Sequence, residues 1–521
     1  MAKKTGRLPR RASDAFAQIT ALLVLTLFCV HPLVISPDTY YNITITKLIS
    51  YLVIMGLFAL LCAAALVLYR REVFATPISL KLRPYEYALL AYWLVMLVSA
   101  LLSDYRREAF LGASKRSEGF LMMSVYLLSV VVIGRLYQFR ERHLTALCEV
   151  ACLVSAYGIL QYYGIDFLHL APVEVAGIHG PDLVYISTMS NRNFLSTYLC
   201  LAFCACLVLF SASPAPATSK FKCKWQYLFM GWILFYMLLL GQTEAGYVGI
   251  LFSVALLLPL LLLDLHSAGR FFLFLSGCCL LVWVSVQLHD PAWQSSVWTP
   301  LAPWFLLAAF VLAVIAPLLW HLPTPFPPFI KITPKIWRIV WYTLLVILMI
   351  ATLVAIPKLA HRTGHPILQE AAEILQGNFD DTFGSNRLFI WKRTLRMVPD
   401  KPLFGHGPDT FYPAFMARFG EEAIAKNYNR YDKAHNEYLQ ILFDNGALGL
   451  LSLLSFAGLI IAGLVKRCAK PAHAAILLAL ACFLIQAFFS FSTPFAHPLV
   501  WAFWGIGASL LYQKESPTPA A

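Results

Sequence analysis

AHNEYLQILFDNGALGL, residues 434–450, joins a His-Asn-Glu group directly to an apolar helical pattern that continues to about residue 465. A run of this length exceeds the roughly 20 residues that cross a bilayer core of about 30 Å. The polar group therefore stands at a membrane surface and the helix behind it enters the membrane. A cluster of ionisable and amide side chains in that position is a place to do chemistry.

Composition extends this reading to the whole chain. Of 521 residues, 60% are hydrophobic and 13% charged, and the mean hydropathy is +0.69. Soluble globular domains carry about twice that share of charge. The fold class is all-α, a polytopic helical membrane protein, with about fourteen spans expected at 15–36, 45–69, 86–103, 119–137, 143–163, 193–212, 225–241, 246–264, 271–289, 301–320, 338–356, 436–465, 473–490 and 497–513.

Charge sets the orientation. With the basic start (Lys3, Lys4, Arg7, Arg10, Arg11) inside, the loops holding Arg70 and Arg71, Arg135–Arg142, Lys220–Lys224, Lys331–Arg338 and Lys466–Lys470 also fall inside, as the positive-inside rule requires. Both termini are then cytoplasmic. The first span is too long for a removable signal peptide and lacks a small-residue cleavage site, so it is expected to stay as an anchor. The twelve Cys fall in spans or inner loops, which implies neither a disulfide framework nor a metal site. The net charge of +13 follows from the inside bias and contact with anionic headgroups, not from nucleic-acid binding.

One long outer segment organises the chain. The expected divisions are an N-terminal bundle of about eleven spans (1–356), an outer catalytic loop (357–433), three C-terminal spans (434–513) and a cytoplasmic tail (514–521). Within the loop, Leu388, Ile390, Trp391, Leu395 and Val398 alternate with Arg387, Lys392, Arg393 and Arg396, the pattern of a basic amphipathic helix on the membrane or against the bundle. Pro399 ends it, and the turn Phe404-Gly405-His406-Gly407-Pro408 follows. Asp380-Asp381 is the one outer acidic pair with a hint of metal binding; adjacent loop carboxylates are ordinarily solvated, so no metal is expected.

GSNRLFIWKRTLRMVPDKPLFGHGPDTF (384–411), followed by AHNEYLQILFDNGALGLLSLL (434–454), resembles the O-antigen ligase and polymerase family of bacterial integral-membrane glycosyltransferases. SKRSEGFL (114–121) is similar to an Arg-then-Gly outer element of that family, and SNRNFLSTYL (190–199) to its Asn-containing start of the next span. One departure stands out: GQTEAGYVG (241–249) carries Glu244 near where the family often has an Arg.

The resemblance implies a GT-C-like fold in a bacterial inner membrane with its active site on the periplasmic or extracellular face. It implies a polyprenyl-pyrophosphate-linked glycan as donor, and inverting, cofactor- and metal-free transfer to the hydroxyl of a glycan, lipid or protein acceptor. Such a reaction needs a base for the hydroxyl and cations for the departing pyrophosphate. His435 is the expected base, kept neutral by the N–H groups of the helix that follows. Arg387 and Arg116 are the expected pyrophosphate cations, because a guanidinium grips phosphate with two parallel bonds.

Arg192, Asn193, Asn436, Glu437, His406 and Trp391 complete the substrate-binding candidates, with Tyr428, Tyr431 and Tyr438 as further stacking surfaces. Asn436 and Glu437 read equally as helix-start residues. Arg106, Arg107 and Lys115 read as headgroup contacts. No motif encodes the acceptor, so a ligase and a repeat-unit polymerase both remain open. A lipid-linked oligosaccharide flippase is the alternative of another class; it would show repeated halves and mid-membrane charge.

Overall fold

The computed structural model describes residues 10–36, 42–74, 81–113, 116–170, 186–212, 224–262, 264–288, 301–321, 334–363, 366–427, 431–491 and 493–512. Lys3, Lys4, Arg7, Lys115, Lys220, Lys331 and Tyr428 lie outside them. The described residues form helices and no strand. A helix stands at each of the fourteen expected spans, with ends shifted by a few residues. Ten of these helices are long and apolar enough to cross a membrane, and Phe120–Leu136, Trp225–Gly241 and Pro471–Gln486 are shorter apolar helices. The fourteenth, His497–Tyr512, has 16 residues.

Burial varies sharply among them. Arg192–Ser211 is buried on all sides from Phe194 onward, as expected of a helix that is apolar all round. Its neighbours are Pro471–Gln486 and Trp225–Gly241. Pro334–Thr363 lies at the periphery with little buried surface. Two further packings position the site: Phe120–Leu136 lies along His497–Tyr512, and Pro84–Leu101 along Glu437–Val465.

The first span ends earlier than its apolar run. The helix Arg10–Cys29 gives way to a short 3-10 turn at His31–Leu33, because Pro32 cannot continue an α-helical ladder. The carbonyls released there are taken up by Lys47, fully buried one turn into Ile43–Leu68, whose Nζ donates to His31 O and Pro32 O at 2.8 Å each. A buried ammonium is tolerated in a span when its protons are spent in this way.

The helix Glu437–Val465 is interrupted. Gly446 adopts φ 66°, ψ −171°, and the outer turn crosses the break. His406 N donates to Phe443 O and Gly407 N to Asp444 O (both 2.9 Å), while Ala447 N donates to Pro402 O (2.8 Å) and Leu448 N to Leu403 O (3.2 Å). Every peptide group freed by the break thus finds protein, as an interrupted membrane helix requires. A Cβ at Gly446 would sit 2.3 Å from Leu403 C and O, so both the backbone angle and the close approach demand glycine.

The segment between Pro334–Thr363 and Glu437–Val465 is folded where it is described. Arg387–Met397 and Phe411–Ala425 close over a second apolar cluster that includes Phe389, Ile390, Met397, Phe411 and Phe443, while Pro366–Leu375 packs against Pro334–Thr363. Arg387–Met397 does pack against the bundle, but on a different face from the one its pattern predicts. Leu395 is 54% exposed, whereas Phe389, Ile390, Arg393 and Met397 are buried. Arg393 goes inward because Asp381 (2.8 Å) and Glu422 flank its guanidinium and the Phe389 ring lies 4.0 Å beneath it. A charge paired on two sides and stacked on a ring is an acceptable core residue.

Candidate active site

The 366–427 segment and the connection at 102–113 and 116–119 are fastened together around Asp409. Its Oδ2 accepts from Ala113 N (2.8 Å) and Glu118 N (3.1 Å), and its Oδ1 pairs with Lys433 Nζ at 2.8 Å. Lys401 reaches Asp104 (2.7 Å), and Arg116 forks onto Asp432 through Nε (2.8 Å) and Nη2 (3.3 Å). Lys433 is only 5% exposed. Burial works to lower its pKa, but Asp409, Asp444 and Glu118 overcome it and hold the ammonium well above its ordinary value.

These contacts place His435. The peptide before it is held from both sides: Ala434 N donates to Gln440 Oε1 (2.8 Å), and Trp391 Nε1 donates to Ala434 O (2.9 Å). Asn436 Oδ1 caps the helix by accepting from Leu439 N (3.0 Å), and Glu437 N donates to Ala487 O (2.8 Å). Between these fixed points His435 sits at φ 54°. A non-glycine residue there costs about 1–2 kcal/mol, sustained only because its surroundings leave no choice.

The ring of His435 meets Phe491 (4.6 Å) and Tyr431 (5.4 Å) edge to face. Phe491 also lies 5.2 Å from the Arg116 guanidinium, which stands 5.6 Å from Phe194. Arg387 opens its helix after three successive left-handed residues, Gly384, Ser385 and Asn386. Tyr431 bridges back to that turn, donating to Ser385 O and accepting from Asn386 Nδ2, each at 3.4 Å. Among the described residues no carboxylate is paired with Arg387, and a cation in the first turn of a helix runs against the helix dipole.

Electrostatics follow from this packing. Burial, then Arg387 and Arg116, push the His435 pKa down to about 4, with Asp432 opposing. The imidazole is therefore neutral near pH 7. The direction matches the sequence-based expectation, but the causes are desolvation and two guanidiniums. Burial would raise the Asp432 carboxyl, but Arg116 and Lys433 hold it below its usual range.

A second polar group lies beneath. His497 Nδ1 is 2.9 Å from Glu118 Oε1, and its Nε2 is 4.0 Å from Glu437 Oε1. Glu118 and His497 are 4% and 5% exposed. Burial raises the Glu118 pKa, but His497, Lys433 and Arg116 bring it below the ordinary value. Glu437 and His497 together line two cavities of about 10 and 40 Å³, enough for water-sized occupants. Among the described residues no group of three or more His, Cys, Asp and Glu is arranged to hold a metal ion.

The sequence-predicted residues thus divide. His435, Arg387 and Arg116 converge, with Trp391 fixing the peptide beside His435 and Glu437 facing the cavities. Asn436 serves as a helix cap. Arg192 and Asn193 begin their helix, and Asn191 Oδ1 accepts from Asn193 N (2.8 Å). His406 is spent elsewhere, stacked on Phe443 at 4.5 Å with Nε2 3.1 Å from Met397 O. Glu244 is exposed at the first turn of Glu244–Leu261, where a carboxylate suits the helix dipole. Glu118, His497, Asp409, Asp432 and Lys433 were not singled out. A signal existed for His497, which follows Ala496 at the start of an apolar helix just as His435 follows Ala434.

Nothing among curated proteins matches the chain. The family model described as O-Antigen ligase does match, over residues 302–454, a stretch that contains Arg387, Trp391, Asp409, Lys433, His435 and Glu437. The match supports a role in glycan transfer at a membrane. Over residues 302–454 this multi-pass helical membrane protein is therefore similar to the O-antigen ligase family.

Proposed function

We propose that the chain transfers a glycan from a polyprenyl-pyrophosphate donor to an acceptor hydroxyl, with His435 as general base. The observation that carries this reading is a buried imidazole, packed on Phe491 and Tyr431, that is held neutral by burial and by the charges of two guanidiniums, one of them without a carboxylate partner among the described residues. The acceptor oxygen attacks the anomeric carbon as the bond to pyrophosphate breaks, and its proton passes to the free ring nitrogen. Pyrophosphate leaves as an anion and needs no proton.

Arg387 is the cation with charge to spare. Arg116 is already forked to Asp432, so it offers its remaining N–H groups and sets the field around His435. A phosphate arriving between the two arginines offsets the charges that hold His435 down, and its pKa rises toward the range where a base is effective. Donor binding thereby activates the base. The polyprenyl tail stays in the bilayer, since only pyrophosphate and glycan need reach the polar layer. Site and donor head lie on the outer face, with the basic loops inside and the inner membrane of a bacterium as the setting.

Incubation of the purified protein with a polyprenyl-pyrophosphate oligosaccharide and a panel of acceptors, followed by mass, tests the reading. Transfer of a whole glycan to a foreign acceptor identifies a ligase, and lengthening of the lipid-linked chain identifies a polymerase. Absence of product with every acceptor, combined with movement of the lipid across liposomes, would replace the enzyme by a flippase.

A further inference from the structure

We propose that the cleft at the end of the bundle opposite His435 binds an anionic glycerophospholipid of the adjoining leaflet. The cleft, of about 520 Å³, lies between the helix Arg10–Cys29 and the start of Glu141–Tyr162. Phe120–Leu136 fixes its position. That helix begins just after Glu118 in the site and ends just before Tyr137, whose hydroxyl is 2.7 Å from His143 Nδ1. Its 17 residues separate the two places by about 25 Å.

The walls of the cleft divide by chemistry. Ala21 and Leu25 give an apolar floor, while Arg140 and Arg142 stand exposed at the mouth; Asp14 is the one carboxylate among the lining residues. His143, 1% exposed, also lines the cleft, and its Nε2 has no hydrogen-bond partner. A buried ring nitrogen left unpaired is unfavourable, and beside a polar, roomy cleft it marks a place where a ligand atom belongs.

One ligand class satisfies all three features. A phosphodiester suits two guanidiniums that outnumber the single carboxylate, an acyl chain covers the apolar floor, and a glycerol or ester oxygen is within the chemistry His143 can pair. A basic pocket between helices at a leaflet surface is a recurrent headgroup site. A zwitterionic lipid brings its own cation against Arg140 and Arg142, and inorganic phosphate leaves the floor uncovered.

The test uses the full chain in mild detergent, with retained lipid read by native mass spectrometry after addition of palmitoyl-oleoyl phosphatidylglycerol or phosphatidylcholine. Phosphatidylglycerol is expected to be retained at least tenfold over phosphatidylcholine, and millimolar inorganic phosphate is expected not to displace it. Arg140→Ala with Arg142→Ala should reduce retention to the phosphatidylcholine level. Arg70→Ala with Arg71→Ala, which removes the same charge from the same end outside the cleft, should not. Ala21→Trp, which fills the floor and leaves the charges, should also abolish retention. Equal retention of the two lipids, or wild-type retention by both cleft variants, would overturn the proposal. Displacement by phosphate alone would make this a free-anion site and overturn the lipid assignment.

Discussion

Asp409→Ala is the substitution expected to damage the candidate site's framework most. It strips the counter-charge from Lys433, which is 5% exposed, and the acceptor from two backbone N–H groups, Ala113 at 2.8 Å and Glu118 at 3.1 Å. Breaking a buried ion pair from one side costs about 3–5 kcal/mol, and each orphaned buried N–H costs about 1–3 kcal/mol. Such terms are not additive, and Asp444 and Glu118 still attract Lys433, so about 5 kcal/mol is the expected loss. Removing the ammonium as well, in Asp409→Ala with Lys433→Met, should return about half of that, because only the N–H groups are then unpaired. Denaturant titration of the purified protein in mixed micelles measures both. A single variant within about 1 kcal/mol of wild type, or a double variant less stable than the single, would refute the keystone role of this pair.

Four further outcomes are expected. The folded pKa of His435, about 4, lies below the ordinary 6.5, so its contribution to stability is complete above about pH 6.5 and is lost as pH falls toward 4; His435→Gln should flatten that part of a stability–pH curve. In turnover, the acidic limb of kcat should lie at higher pH than that of kcat/KM, because bound pyrophosphate offsets Arg387 and Arg116, and coincident limbs would contradict donor activation of the base. Arg387→Lys should lower kcat/KM about tenfold or more by losing the two-pronged phosphate contact, with an unchanged melting temperature as the check that folding is intact. Gly446→Ala should destabilise by more than about 2 kcal/mol, since it combines a left-handed backbone with overlap on Leu403; a melting curve like wild type would show the break to be dispensable.

How much of this was legible follows from the range of each force. Helices at all fourteen expected places could be read because the bilayer makes each span satisfy its own backbone and advertise itself as an apolar run. The site core was legible where residues sit on one short motif, as His435, Asn436 and Glu437 do. It was not legible where partners are far apart. Glu118 and His497 are 379 positions apart in the chain, and no local pattern reports their pairing. The break at Gly446 reads as a continuous span because its peptide groups are satisfied by residues 402–407. Arg393 reads as a surface residue because helical periodicity assigns charge outward, and only Asp381 and Glu422 make its burial acceptable.

The central claim is that His435 takes the acceptor proton. The direct measurement is the single-turnover rate of glycan transfer from a polyprenyl-pyrophosphate donor, wild type against His435→Ala, with both proteins matched for melting temperature and donor binding. Loss of a positioned general base removes about 10²–10⁴-fold in rate, so the variant should bind the donor and transfer at least a hundredfold more slowly. Transfer by His435→Ala at the wild-type rate would contradict the account.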